Sequence, residues 1–166
     1  MIGILIKFIS KKSPIHNFFL ESKTIDCEPP YDEVTEKGVA ITSPNYPDDY
    51  GNSLDCQVTI RFGVNETVAI TFVVFSVSYN RDRNCKNDFL TIHDGESTAS
   101  PLIGSKLCGT SPSGTTIRST GNAMTLHFHT NHYDNKTGFR LYANAGKNFD
   151  VFDYFLSKVP YILHCL

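Results

Sequence analysis

Cys56-Gln-Val-Thr-Ile-Arg-Phe62 alternates without a break. Cys56, Val58, Ile60 and Phe62 fall on one face, and Gln57, Thr59 and Arg61 on the other. A period of two is the mark of a strand with one face buried. Such a strand needs neighbours to pair with and a second layer to cover its apolar side. Its first residue is a cysteine, so the layer it builds can also be tied covalently to a distant part of the chain.

The same pattern recurs on both sides. Gly38-Val-Ala-Ile-Thr42 reads as a short first strand, closed by Ser43-Pro-Asn-Tyr-Pro47, where two prolines force turn-rich backbone and forbid a central strand. Gly63-Val-Asn65 is a turn into Thr67-Val-Ala-Ile-Thr-Phe72, with Val68, Ile70 and Phe72 sharing a face and Phe75 just beyond. Asp88-Phe-Leu-Thr-Ile-His93 is the next strand, with Leu90 and Ile92 inward, ended by the turn pair Asp94-Gly95. Leu102 to Leu107 and Thr115 to Thr120 are shorter strand candidates. Ala123-Met-Thr-Leu-His-Phe-His129 aims Met124, Leu126 and Phe128 to one side, and Thr137-Gly-Phe-Arg-Leu-Tyr142 closes the set. No helical period with caps occurs before residue 149. Many short strands separated by turn signals make the expected class an all-β antiparallel sandwich.

Cysteines sharpen that expectation. Cys27 and Cys56 are 29 residues apart, Cys85 and Cys108 are 23 apart, and strand order favours these two pairs. Four cysteines nevertheless admit three connectivities on sequence alone. No Cys-x-x-Cys competes as a zinc ribbon. Disulfides need an oxidising compartment, so the chain is expected outside the cytosol. Cys165 is left over, read either as an intermolecular bridge or as a thiol in a frayed tail.

The 166 residues suit one domain with tails. Fifteen basic and 17 acidic residues give a formal charge of −2, which offers no footing for nucleic acid or an anionic membrane. The run Met1–Ile9 is too short to span a bilayer and carries Lys7. The apolar tail from Val151 is interrupted by Asp153 and Lys158. Met1–Ile9 is also a poor secretory signal, because Lys7, Lys11 and Lys12 sit in and behind it. Residues 1–26 are therefore expected to be an atypical leader or irregular segment, 27–145 the domain, and 146–166 a tail.

With these elements in place, residues 27–144 resemble a CUB domain. The resemblance is carried by Cys27, Gly38, Ser43-Pro-Asn-Tyr-Pro-Asp-Asp-Tyr50, Asn52, Cys56 and Phe72-x-x-Phe75. It continues with Cys85, Asp88, Asp94-Gly95, Leu107-Cys-Gly109, Asn122, Phe128, Gly138-Phe139 and Tyr142. Val58 departs from it, standing where the family has an aromatic. The resemblance implies a jelly-roll-like sandwich with disulfides Cys27–Cys56 and Cys85–Cys108. It also implies a secreted or cell-surface module that binds protein ligands.

It further implies a calcium site at one end of the sandwich in many members. The family's three carboxylate positions read here as Asn80, Asp88 and Asn131, with Asp82 and Asp134 in the same loops. One carboxylate in three positions makes a weak calcium site or none, since affinity follows ligand charge. Without an ion, Asp88 becomes a structural carboxylate accepting hydrogen bonds at a strand start. A competing metal reading is zinc on His127, His129 and His132, set against two outward, solvated histidines of an alternating strand. Asn65-Glu-Thr67 and Asn135-Lys-Thr137 are N-glycosylation sequons on turns. No His-Glu-x-x-His or Gly-x-Ser-x-Gly occurs, and the expected function is non-enzymatic recognition. The contacts are assigned to Tyr79, Asp82 and Tyr133 in the loops at that end. The alternatives are a zinc-dependent activity on the histidines, the recognition fragment of a modular protease or receptor, and a spacer in a multi-domain scaffold.

Overall fold

A computed structural model describes residues 22–79 and 84–146. The expected leader through residue 21, Asn80, Asp82, Cys165 and the tail from 147 lie outside these residues. Nine strands and no helix occur among the described residues: β1 Ser22–Thr24, β2 Glu33–Val34, β3 Val39–Thr42, β4 Asp55–Arg61, β5 Val68–Ser76, β6 Phe89–His93, β7 Thr116–Arg118, β8 Ala123–His129 and β9 Gly138–Ala145. They form two sheets, β1-β3-β9-β5-β7 and β2-β4-β8-β6. All the longer pairings are antiparallel, while β1 and β2 add short parallel edges to β3 and β4. β1 lies ahead of Cys27, and Ile25 behind it is buried in the core.

The facing sides of the sheets supply the core. Val58, Ile60, Leu90, Ile92, Leu126 and Phe128 come from one layer, and Ile41, Ile70, Phe72, Phe139 and Leu141 from the other. Val58, the departure from the family pattern, is fully buried opposite Leu126. Phe128 joins the layers, meeting Tyr50 edge-on at 5.1 Å and Phe139 at 5.3 Å. Strict alternation cannot bury both Phe72 and Phe75, which are three residues apart. The structure resolves this with a bulge: pairing with β9 shifts between Phe72 and Val74, and Val73 turns outward. A bulged residue restarts the alternation, so both phenylalanines point inward and meet edge-on at 5.3 Å.

Both cysteine pairs are joined as expected, Cys27–Cys56 and Cys85–Cys108. One strand expectation fails. Leu102–Leu107 does not form a strand, and makes only isolated bridges from Leu102 to His93 and from Leu107 to Leu90. Gly104 stands between them with φ of 77°, a left-handed conformation that ends extended backbone. β9 runs further than its sequence pattern suggested, to Ala145, because it is hydrogen-bonded on both sides by β3 and β5.

This topology gathers the segments 43–54, 77–79, 84–88 and 130–137 at one end of the sandwich, called here the loop end. The turn at 62–67, between β4 and β5, lies at the opposite end.

Candidate functional site

Asp88 immediately precedes β6 and is fully buried. A buried carboxylate must be satisfied by donors, because its desolvation is otherwise costly. Here the donors come from other loops. The Tyr50 hydroxyl donates to Asp88 Oδ2 at 2.7 Å, and the Asn131 backbone N–H donates to Oδ1 at 2.8 Å. Tyr50 is itself fully buried, and its hydroxyl accepts the Ser78 N–H at 2.9 Å. Burial, more than the neighbouring carboxylate, raises the Tyr50 phenol far above the ordinary tyrosine range, so it stays a donor. One carboxylate and one phenol thus bind the 43–54 loop, the end of the β5 segment, the start of β6 and the 130–137 loop to one another.

A second tier lies above this pin. The Ser78 hydroxyl donates to Asp134 Oδ2 at 2.6 Å, and Lys136 Nζ pairs with Asp134 Oδ1 at 2.7 Å. That ammonium, followed by the Ser78 hydroxyl, holds the Asp134 carboxyl below its usual range, and Asp134 in return raises Lys136. The Lys136 carbonyl accepts the Tyr50 N–H at 3.0 Å. Asn131 Oδ1 accepts the Tyr133 N–H at 2.9 Å, closing a local turn.

Above both tiers the surface is aromatic and polar. Tyr133 is 51% exposed and its hydroxyl accepts a 3.3 Å hydrogen bond from Asn87 Nδ2. Tyr79 is 46% exposed and lines a groove of about 420 Å³ with Lys106, Leu107, Gly109 and the Cys85–Cys108 bridge. Val77 and Gly109 exchange backbone hydrogen bonds of 2.9 and 2.7 Å, holding Gly109 against the segment that carries Tyr79.

Among the described residues, the expected calcium set is poor in charge and already engaged in hydrogen bonds. Calcium takes six to eight oxygens and relies on carboxylate charge. Asp88 is the one carboxylate among the described family positions, and both its oxygens already accept hydrogen bonds. Asn131 spends its amide oxygen on Tyr133, and Asp134 is neutralised by Lys136. Among the described residues, no group of three or more His, Cys, Asp or Glu is placed to hold a metal.

The three histidines do not converge. His127 and His129 flank Asp55 on the outer face of β8: His127 Nε2 pairs with its carboxylate, and His129 Nδ1 stands 3.9 Å from it. His129 stacks on Phe89 at 5.0 Å, and Lys106 Nζ lies 3.4 Å over the same ring. His132 packs edge-on against Tyr133 at 4.7 Å in the following loop. The outward histidines are therefore half-buried surface partners instead of freely solvated side chains.

Sequence reasoning placed Asp88 at the centre of this end but missed Tyr50, Ser78 and Lys136. Tyr50 had a legible signal: it is a lone aromatic closing the polar run Pro47-Asp-Asp-Tyr50. Ser78 and Lys136 had none, since their roles depend on loops meeting in space.

Comparison with known proteins agrees with this architecture. The CUB domain family model matches residues 27–142. Cubilin of Rattus norvegicus is 30% identical over 116 residues, 70% of this chain and 3% of that protein. The full extracellular region of zebrafish Gpr126/Adgrg6 superposes with a TM-score of 0.60 at 31% identity, covering 68% of this chain and 14% of the other. The MASP-1 CUB2 domain bound to Ca2+ superposes with the same TM-score of 0.60 at 26% identity, covering 69% of this chain and 97% of that domain. The chain thus spans a small fraction of the length of the curated relatives it matches.

Proposed function

The chain belongs to the CUB domain family, and from that premise we propose that it is an extracellular, non-catalytic protein-recognition module whose contacts lie at the loop end. The observation that carries this reading is the pairing of a rigid base with exposed aromatics. Asp88 and Tyr50 fix four segments of the loop end from beneath, while Tyr79 and Tyr133 stand half-exposed above them. Tyrosine supplies large contact area and a polar tip at low entropic cost, which suits an interface anchor. Preorganised loops lose little freedom on binding, so more of the contact energy appears as affinity. Asp82 belongs to the same contact set by its place between Tyr79 and Cys85 in sequence.

The test is saturable binding of the oxidised protein to secreted or cell-surface protein ligands. Tyr133→Ala and Tyr79→Ala are expected to weaken it by about tenfold or more each, the scale of a hot-spot aromatic. Val64→Ser at the opposite end should leave affinity unchanged. Equal binding by all three variants, with folding intact, would move the contact surface elsewhere.

This recognition is ion-independent, because the Lys136 ammonium already neutralises Asp134 and hydrogen bonds already satisfy Asp88. Calorimetric titration with calcium up to millimolar concentrations, the range of weak extracellular sites, is expected to give no binding heat. A saturating heat abolished by Asp88→Ala would instead assign a calcium site to Asp88, Asn80 and Asn131.

A further inference from the structure

We propose that Asn65 carries an N-linked glycan, and that this modification shields the end of the sandwich opposite the loops while the loop end, including Asn135, stays bare. The proposal rests on the extracellular reading above, since the transferase acts only on chains entering the secretory pathway.

Two sequons occur, and the fold treats them differently. Asn65 sits at the tip of the turn joining β4 to β5, exposed, with a positive φ of 71°. The turn is pinned around it and not by it. Glu66 N–H donates to Gly63 O at 3.1 Å, Glu66 Oε2 accepts the Gly63 N–H at 2.9 Å, and the same carboxylate pairs with Lys37. The Asn65 side chain makes no hydrogen bond among the described residues, so substitution on its nitrogen disturbs nothing in the fold.

A second observation points to the same place. Val64, the residue before it, is 84% exposed, more than any other large apolar side chain described. The first sugars of a glycan have an apolar face and lie along the protein beside their anchor. A glycan on Asn65 therefore covers surface that is otherwise left to water.

Asn135 presents the reverse case. Its side chain is half-buried, and its Oδ1 is turned inward with no donor. It lies between Asp134 and Lys136, whose ion pair helps order the loop end. A glycan there must grow from a side chain packed into that loop, beside Tyr133.

The chemistry requires a lipid-pyrophosphate-linked oligosaccharide as co-substrate. Asn65 Nδ2 forms a bond to C1 of its first sugar while the C1–O bond to pyrophosphate breaks. The amide loses one proton to the transferase, and the lipid pyrophosphate leaves. The Thr67 hydroxyl completes the acceptor motif.

The experiment is secretion of the full chain from cultured eukaryotic cells behind a strong leader, followed by enzymatic deglycosylation and peptide mapping. Four forms are compared: wild type, Asn65→Gln, Thr67→Ser and Asn135→Gln. One glycan is expected in wild type, Thr67→Ser and Asn135→Gln, and none in Asn65→Gln. An unmodified Asn65 in material with both disulfides formed overturns the proposal while leaving the extracellular reading intact. An unmodified Asn65 with free thiols at Cys27, Cys56, Cys85 and Cys108 overturns both. A glycan found on Asn135 overturns the claim that the loop end stays bare.

Discussion

Replacing Cys27 and Cys56 together by alanine is expected to lower stability by about 3–4 kcal/mol, the loop-closure cost for a crosslink of this span. Cys56 is also fully buried in the core, and its partner ties the segment behind β1 to the second residue of β4. Loss of the bridge therefore frees the end of the chain that holds β1 and Ile25 in place, adding lost packing to the entropic term. The Cys85–Cys108 bridge closes a similar loop and holds the groove beside Tyr79. Its removal should cost about as much by the same argument. Domains of this size are stable by roughly 5–15 kcal/mol in total, so losing both bridges removes from about half of that stability to all of it. Thermal or urea unfolding of the two double variants, with and without reductant, measures this. A wild-type melting curve indifferent to reductant, under conditions shown to break both bonds, would remove the disulfides from the account of stability.

How far the sequence discloses this molecule depends on where the information sits. Alternation in Cys56–Phe62 and Ala123–His129 is local, and both become strands of one sheet paired in register from Asp55 with His129 to Arg61 with Ala123. The two disulfides and Asp88 were legible because residue type and spacing mark them. Leu102–Leu107 misleads because its apolar residues bracket Gly104, whose left-handed backbone outranks the pattern around it. The bulge at Val73 is invisible to a rule of two, although two phenylalanines three apart are its trace. The zinc alternative on the histidines finds no support among the described residues, for a different reason. Strand geometry rightly put His127 and His129 on one face, but nothing local reveals that Asp55 lies opposite His129 on β4 and draws both rings. The network beneath the loop end was hidden for the same reason: Tyr50 is 38 residues from Asp88 in sequence, and Ser78 is 56 from Asp134.

That network carries the second large effect. Asp88→Ala is expected to destabilise the domain by about 3–5 kcal/mol, since it leaves buried donors without an acceptor and opens a cavity. The stranded donors are the Tyr50 hydroxyl and the Asn131 N–H. Asp88→Asn keeps the shape but can accept only one of the two, so its cost should be smaller, about 1–3 kcal/mol. Tyr50→Phe removes the phenol from both sides, orphaning the Ser78 N–H and leaving Asp88 with one partner. Because these groups act as a unit, the Tyr50→Phe/Asp88→Asn double variant should lose less than the sum of the singles. The raised phenol adds a signature in pH. Above the ordinary tyrosine value near 10 the unfolded chain releases this proton and the folded one does not, so wild-type stability falls from there upward, and the Tyr50→Phe variant lacks that component. A chelator separates this structural role from an ionic one. If Asp88 matters through hydrogen bonds, EDTA leaves the wild-type unfolding curve unmoved while Asp88→Ala shifts it strongly. If EDTA alone reproduces the variant's loss, the carboxylate serves a bound cation and the pin described here is not what orders the loops.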